Sequence, residues 1–218
     1  MLAQGKVLYL LDTACRNPTA QGITIHQDLF ERSPKKIINR IKSILGLNEI
    51  KLHGRKVEVR KIEKIEGRLF LEEFHLMGSC KAEIHIGLYN NQELVSVGAF
   101  SKPLFMKHEN PPYYSSELMR FCTAFNTSIR GGLDKILKYY INEHRPDDII
   151  TYVDKEWSNG KNFERIGFKN VGSTPALTFS IENGKRKLHN NAGKEEVLVS
   201  NQGNIKLQLK TSTVLSNF

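Results

Sequence analysis

Cysteine and tryptophan are scarce in this sequence: three Cys (Cys15, Cys80, Cys122) and one Trp (Trp157) in 218 residues. The cysteines stand too far apart for a zinc-ligand spacing or a disulfide framework. A reducing, cytoplasmic setting is therefore expected, in a host cell if the chain is phage-encoded. Long apolar runs are missing as well. The run "VLYLL" at 7–11 is far too short to cross a bilayer, so no membrane partner is expected. The opening "MLAQGKVLYLL" has one Lys and no small-residue cleavage site, so it does not read as a secretory leader. No full carboxylate set for metal-dependent cleavage is present, because Asp12 and Asp28 stand alone. Neither a metal site nor nuclease activity is expected.

Acidic residues also fall short, 23 Asp and Glu against 32 Lys and Arg, leaving a net charge of +9. The excess is concentrated. Residues 32–68 hold twelve Lys or Arg (32, 35, 36, 40, 42, 51, 55, 56, 60, 61, 64, 68) and four Glu (49, 58, 63, 66), a balance of +8. Such clustering points to a polyanion, and double-stranded DNA is the expected partner. Lys35, Lys36, Arg40, Lys42, Arg55 and Lys56 are the candidate DNA contacts. A solvated face kept for solubility is the plainer alternative.

Periodicity places the elements. "SPKKIINRIKSILG" predicts a helix, with Pro34 at its first position, Gly46 at its end and Ile37, Ile38, Ile41, Ile44 and Leu45 on one face. A strand is predicted at 56–62, a short helix at 65–75 and a β-hairpin at 82–100 around Asn90-Asn91. Residues 101–116 read as a long loop carrying Tyr113 and Tyr114. Residues 117–122 read as a strand. Leu133, Ile136, Leu137, Tyr140 and Ile141 mark an amphipathic helix. Residues 148–153 form a strand buried on both faces, and 176–181 a further strand. From 183 the chain is polar, with "EVLVS" and "NIKLQL" as weak strands. The alternation predicts a mixed α/β sheet covered by helices.

The stretch "NTSIRGGLDKILKYY" puts a Gly-Gly pair at the mouth of a helix. Such a pair lets a ligand approach the backbone, and a helix N-terminus favours phosphate. Gly131-Gly132 alternatively permits close packing of helix on sheet.

Three segments carry a resemblance: "FHLMGSCKAEIHIGLYNNQELVSVGAFSKP", "ELMRFCTAFNTSIRGGLDKILKYY" and "IITYVDKEWSNGKNFERIGF". They are similar to GNAT-type N-acetyltransferases, and within them to phage GNAT-like proteins of the Mom DNA-modification type. "ITIHQDLFERSPKKIINRIKSILG" resembles the end of a Vsr-like nuclease, as found before similar domains in phage homing endonucleases. The resemblance implies three segments: a small basic α/β N-terminal part (1–51), a GNAT-like domain (52–182) and a polar tail (183–218). It implies a small-molecule donor, acetyl-CoA or a related molecule, held by Ser128, Ile129, Arg130, Gly131 and Gly132. That hexad, Ser128 to Leu133, is out of register with the family's usual Gln/Arg-x-x-Gly-x-Gly/Ala loop.

Transfer to a base amine needs an anion clamp, a proton acceptor and an oxyanion partner. Arg120, at a strand near the Gly-Gly loop, suits the clamp. Asp154 and Tyr152, at the end of a buried strand, lie where α/β folds place ligands. His75 is a rival base. The implied activity is acyl or related group transfer to a DNA base. A non-catalytic DNA-binding accessory module and an N-acetyltransferase of protein or a small amine are the alternatives.

Overall fold

Two alternating apolar runs joined by a tight turn set the centre of the molecule. In the computed structural model, which describes residues 8–11, 22–182, 185–189 and 198–212, they form the hairpin β5 (Ile84–Asn90) and β6 (Glu93–Phe100). Asn91 and Gln92 turn it with positive φ. Ahead of it lie β1 (Leu8–Leu11), β2 (Ile23–His26), α1 (Gln27–Arg32), α2 (Pro34–Leu45), β3 (Ile50–His53), β4 (Glu58–Ile62) and α3 (Lys64–Phe74). After it come β7 (Leu104–Met106), β8 (Tyr113–Thr123), β9 (Thr127–Arg130), α4 (Gly132–His144), β10 (Asp148–Asp154), α5 (Lys161–Glu164) and β11 (Lys169–Ser173). The chain continues through β12 (Thr178–Glu182), β13 (Lys185–Leu188), β14 (Leu198–Ser200) and β15 (Asn204–Lys210).

The main sheet runs β11-β15-β10-β8-β6-β5-β4, with β7 against β8. Only the β8–β10 pair is parallel in it. Period-two alternation sends Ile84, Ile86 and Leu88 to one face, where Ile136, Leu137, Tyr140 and Ile141 of α4 cover them. The other face packs Val97 and Ala99 against Phe70 and Leu71 of α3. The molecule thus has the mixed α/β sheet flanked by helices that the alternation predicts.

Several expectations change. Residues 101–116 are not a loop throughout, because β7 pairs with Tyr113–Ser115 and β8 starts there. The strand near 176–181 leaves the main sheet and forms a small one with β13 and β14. The segment from 183 on is not merely a polar tail. Its β15 lies between β10 and β11, with Leu207 and Leu209 buried in the core under α4. Residues 22–48 also pack onto the sheet. Ile25 and Ile37 join Trp157 in a third cluster that Leu76 borders, so the lone tryptophan is a core residue. His26 Nε2 meets Glu156 Oε1 at 2.8 Å, with both side chains buried. Asp28 does not stand alone, since Arg186 donates to it twice, at 2.7 and 2.8 Å. Asp12 and Cys15 lie outside the described residues.

Candidate active site

The site begins where two strands part. β8 and β10 pair only through Ser115–Glu117 and Asp148–Ile150. One further tie, Thr151 Oγ1 donating to the Leu118 carbonyl at 2.9 Å, follows. Beyond it the strands diverge. Arg120 and Cys122 pair opposite Ala99 and Val97, which belong to the core under α3, so both face α3. Ile149 and Val153 of β10 point into the opposite core, which turns Tyr152 and Asp154 to the α3 side as well. The sequence candidates Arg120, Tyr152 and Asp154 therefore share one face of one cleft. Tyr152 is exposed there and Asp154 is half-buried.

His75 caps the C-terminus of α3 and borders the same cleft. Its Nδ1 accepts the Met77 N–H at 3.1 Å, which leaves Nε2 to carry the ring proton. Burial pushes its pKa down to about 3, helped by the charges of Arg120, Arg40 and Lys36. At neutral pH this ring is an uncharged N–H donor and too weak a base for proton abstraction. Asp154 moves the other way. Burial raises it to about 6, the Glu156 amide opposes that, and the Glu156 carboxylate adds to it. A carboxyl poised there is the better proton acceptor. Arg120 donates Nη1–H to the Met119 carbonyl at 2.8 Å, while its Nε is buried with no partner among the described residues. Cys122, raised by burial to about 12 even beside Lys36 and Arg40, is no nucleophile.

Sequence reasoning set two further residues among the candidate DNA contacts without placing them beside Arg120 and His75. Lys36 and Arg40, one turn apart on α2, act electrostatically on His75 and Cys122, and the Asp154 charge acts on Arg40. Arg40 keeps exposed surface, while neighbouring protein lowers its pKa. The i, i+4 spacing is the only sequence signal, and it reads equally well as a solvated basic stripe. Lys42 lies about 200° around α2 from Arg40, at about 100° per residue. Lys35 stands 4.8 Å over the Phe125 ring. Arg55 and Lys56 are exposed on the 3-10 turn at 54–56. The six candidate DNA contacts are therefore divided among three places.

The donor-loop candidates are divided too. Ser128, Ile129 and Arg130 lie in β9, which pairs in parallel with Lys51, Leu52 and His53 of β3. A Cβ at Gly132 would meet Ile129 at 3.0 Å and Leu88 at 3.2 Å, so this glycine permits helix–sheet packing. Gly131 is different. It is left-handed (φ +74°), and nothing lies within 4 Å of where its Cβ would be. A ligand can approach Gly131 and the first turn of α4, where Arg130, Arg55 and Lys56 are exposed nearby. Those residues suit a diphosphate. Among the described residues no group of three or more His, Cys, Asp or Glu is placed to hold a metal. No helix among them is long and apolar enough to cross a membrane.

Stability should carry the mark of the two cleft titrations and of His85. His85 is buried, and neither ring nitrogen has a partner among the described residues; its pKa is lowered, chiefly by burial. A histidine whose folded pKa is depressed stabilises fully above its unfolded value of about 6.5, and that contribution is lost as pH falls. Asp154, raised to about 6, acts oppositely between its ordinary value and 6. Two histidines outweigh one carboxyl, so urea midpoints should fall from pH 6.5 toward 4. His75→Asn, which keeps an acceptor for the Met77 N–H, should flatten that fall. An equally steep fall in the variant would contradict the assignment.

No family model matches the chain, and no curated protein matches it. Solved structures similar to it include a GNAT family acetyltransferase from Elizabethkingia anophelis with acetyl-CoA bound (10% identity, TM-score 0.46, 71% of this chain and 98% of that one). An acetyltransferase from Bacillus subtilis in complex with CoA is similar at 13% identity and TM-score 0.45, over 71% and 99% of the two chains. The ribosomal-protein-S18-alanine N-acetyltransferase from Escherichia coli is similar at 13% and 0.45, over 71% and 93%.

Proposed function

We propose that this chain is a GNAT-like group transferase that modifies a base amine in DNA, of the Mom type. The observation that carries the reading is the parting of β8 and β10, with Arg120 and Asp154 turned to one face of the gap. Asp154 takes the proton that the amine loses as its nitrogen bonds to the acyl carbon of a thioester donor. The bond from that carbon to sulfur then breaks. Arg120 and the His75 Nε2–H donate to the oxygen on which charge gathers. Acetyl-CoA is the first donor to test, with Gly131, the first turn of α4, Arg130, Arg55 and Lys56 as its holders. The test is mass spectrometry of nucleosides from DNA of cells expressing the chain. A base carrying a new mass, absent with the empty vector, is expected; an unaltered nucleoside profile refutes the reading.

A second reading, a non-catalytic DNA-binding module, is favoured by the pairing of Ser128–Arg130 with β3, which engages one peptide edge of the candidate donor loop. Calorimetry with acetyl-CoA separates the two, since a module of that kind binds none.

A further inference from the structure

The basic residues of α2 are not spent on a flat outer face. Lys36 Nζ donates to the Glu72 carbonyl at the end of α3, 2.6 Å away. Asn39 Oδ1 accepts the Asn126 N–H at 2.7 Å, which pins α2 to the turn after β8. These two ties fix the turn of α2 that carries Lys36 and Arg40 against the end of α3 and the turn after β8, and both cations act electrostatically on His75. Among the described residues neither forms an ion pair. A shallow, open groove lies beside Lys36, lined by Arg32, Pro34, Lys35, Lys36, Glu73 and Phe125. Cations along a groove supply the charge that the phosphates of a single nucleic-acid strand need; the Phe125 ring beside them is itself covered by Lys35 at 4.8 Å and met edge-on by Phe74. An enzyme that works on a base inside a duplex must extrude it.

We propose that Lys36 and Arg40 seat a phosphate of a single nucleic-acid strand, so that the acceptor nucleotide enters the cleft unpaired while the strand leaves along the α2–α3 groove. This rests on the reading of the cleft as the acceptor site. The same cations would also suit a phosphate of the donor, but the open backbone for a donor lies at Gly131 on α4, with its own cations, Arg130, Arg55 and Lys56. The strand is therefore the better match for α2.

The experiment measures binding alone. A fluorescent ten-residue single-stranded oligodeoxynucleotide is titrated by anisotropy at 50 and 200 mM salt, and coenzyme A by calorimetry. Lys36→Gln/Arg40→Gln should bind the strand at least about tenfold more weakly, and its salt slope should fall by about 0.7 per lost phosphate contact. Coenzyme A binding should not change. Arg40→Lys, which keeps the charge, should retain most of the strand affinity. Lys102→Gln/Lys107→Gln removes the same charge from exposed turns and should leave it intact. Loss of coenzyme A affinity with strand binding preserved assigns the seat to the donor and overturns the proposal. Equal strand affinity in the α2 variant and the wild type, or no strand binding by the wild type, overturns it as well. If strand binding falls as expected but cellular DNA shows no modified base, the seat stands and the transferase reading fails.

Discussion

Asp154→Asn should reduce base modification by about a hundredfold or more, the usual effect of removing one positioned base. Its folded protein should be no less stable than the wild type at pH 7. The two halves of this expectation come from one cause. Burial raises the Asp154 pKa to about 6, so the ionised form is held at a cost, which Asn removes. Asn also keeps a side-chain oxygen for the Glu156 N–H that Asp154 Oδ1 now accepts at 2.9 Å. A residue kept only for structure would show the opposite pattern, with activity and melting temperature falling together. The wild-type rate should climb with pH up to about 6 and flatten above it, while Arg120→Ala should lower the plateau without moving the bend. Nucleoside mass spectrometry across pH, beside thermal melts, reads all three. Full modification by Asp154→Asn would place the proton acceptor elsewhere.

Gly203→Ala should be the most disruptive glycine-to-alanine change among the described residues. Gly203 is left-handed (φ +72°), and an added Cβ would sit 2.3 Å from the Thr174 carbonyl oxygen and 2.7 Å from that of Pro175. Both are backbone atoms and cannot swing away. The left-handed conformation costs about 1–2 kcal/mol for a non-glycine residue, and overpacking adds about 1–3 kcal/mol. At about 2–4 °C per kcal/mol for a chain of this size, the melting temperature should drop by roughly 6 °C or more. Gly46→Ala is the internal control. It is equally left-handed (φ +74°) but meets nothing within 4 Å, so it should suffer only the conformational cost. Equal melting of the two variants would mean that the Thr174–Gly203 approach is not as close as described.

The parts of this molecule legible in its sequence are those whose pattern is local. The isoleucine stripe of α2, the β5–β6 hairpin and the α4 face are repeats within one element; each lies where its period puts it, except that Ile38 at the margin of the α2 stripe is exposed. The pair β3–β9 escaped because two short parallel strands share no turn and leave no hairpin signature. β15 was legible only as the weak strand "NIKLQL", because Lys206 and Gln208 alternate with Ile205, Leu207 and Leu209 inside an Asn- and Gly-rich context; its place between β10 and β11 was not legible. Its burial is decided by β10 and β11 on either side. Arg120 and Asp154, put forward from their strands, lie on the same face of β8 and β10. That Arg40 stands near them was not legible, since a cation on a helix declares nothing about the wall opposite. The His75 ring was legible as a candidate, but its role follows from burial among three cations.

The place of β15 also sets an order of events during synthesis. β10, which carries Asp154, is flanked by β8 on one side and must wait on its other side for a partner translated only after β11, β12, β13 and β14. Until that last strand emerges, a nascent chain presents two unpaired strand edges, those of β10 and β11, and the apolar side chains beneath α4 lack the cover of Leu207 and Leu209. Such edges invite pairing with other chains. A ribosome stalled before residue 204 would therefore display a half-built sheet that calls for a chaperone, and β10 would gain its second neighbour only once residues 204–210 have emerged.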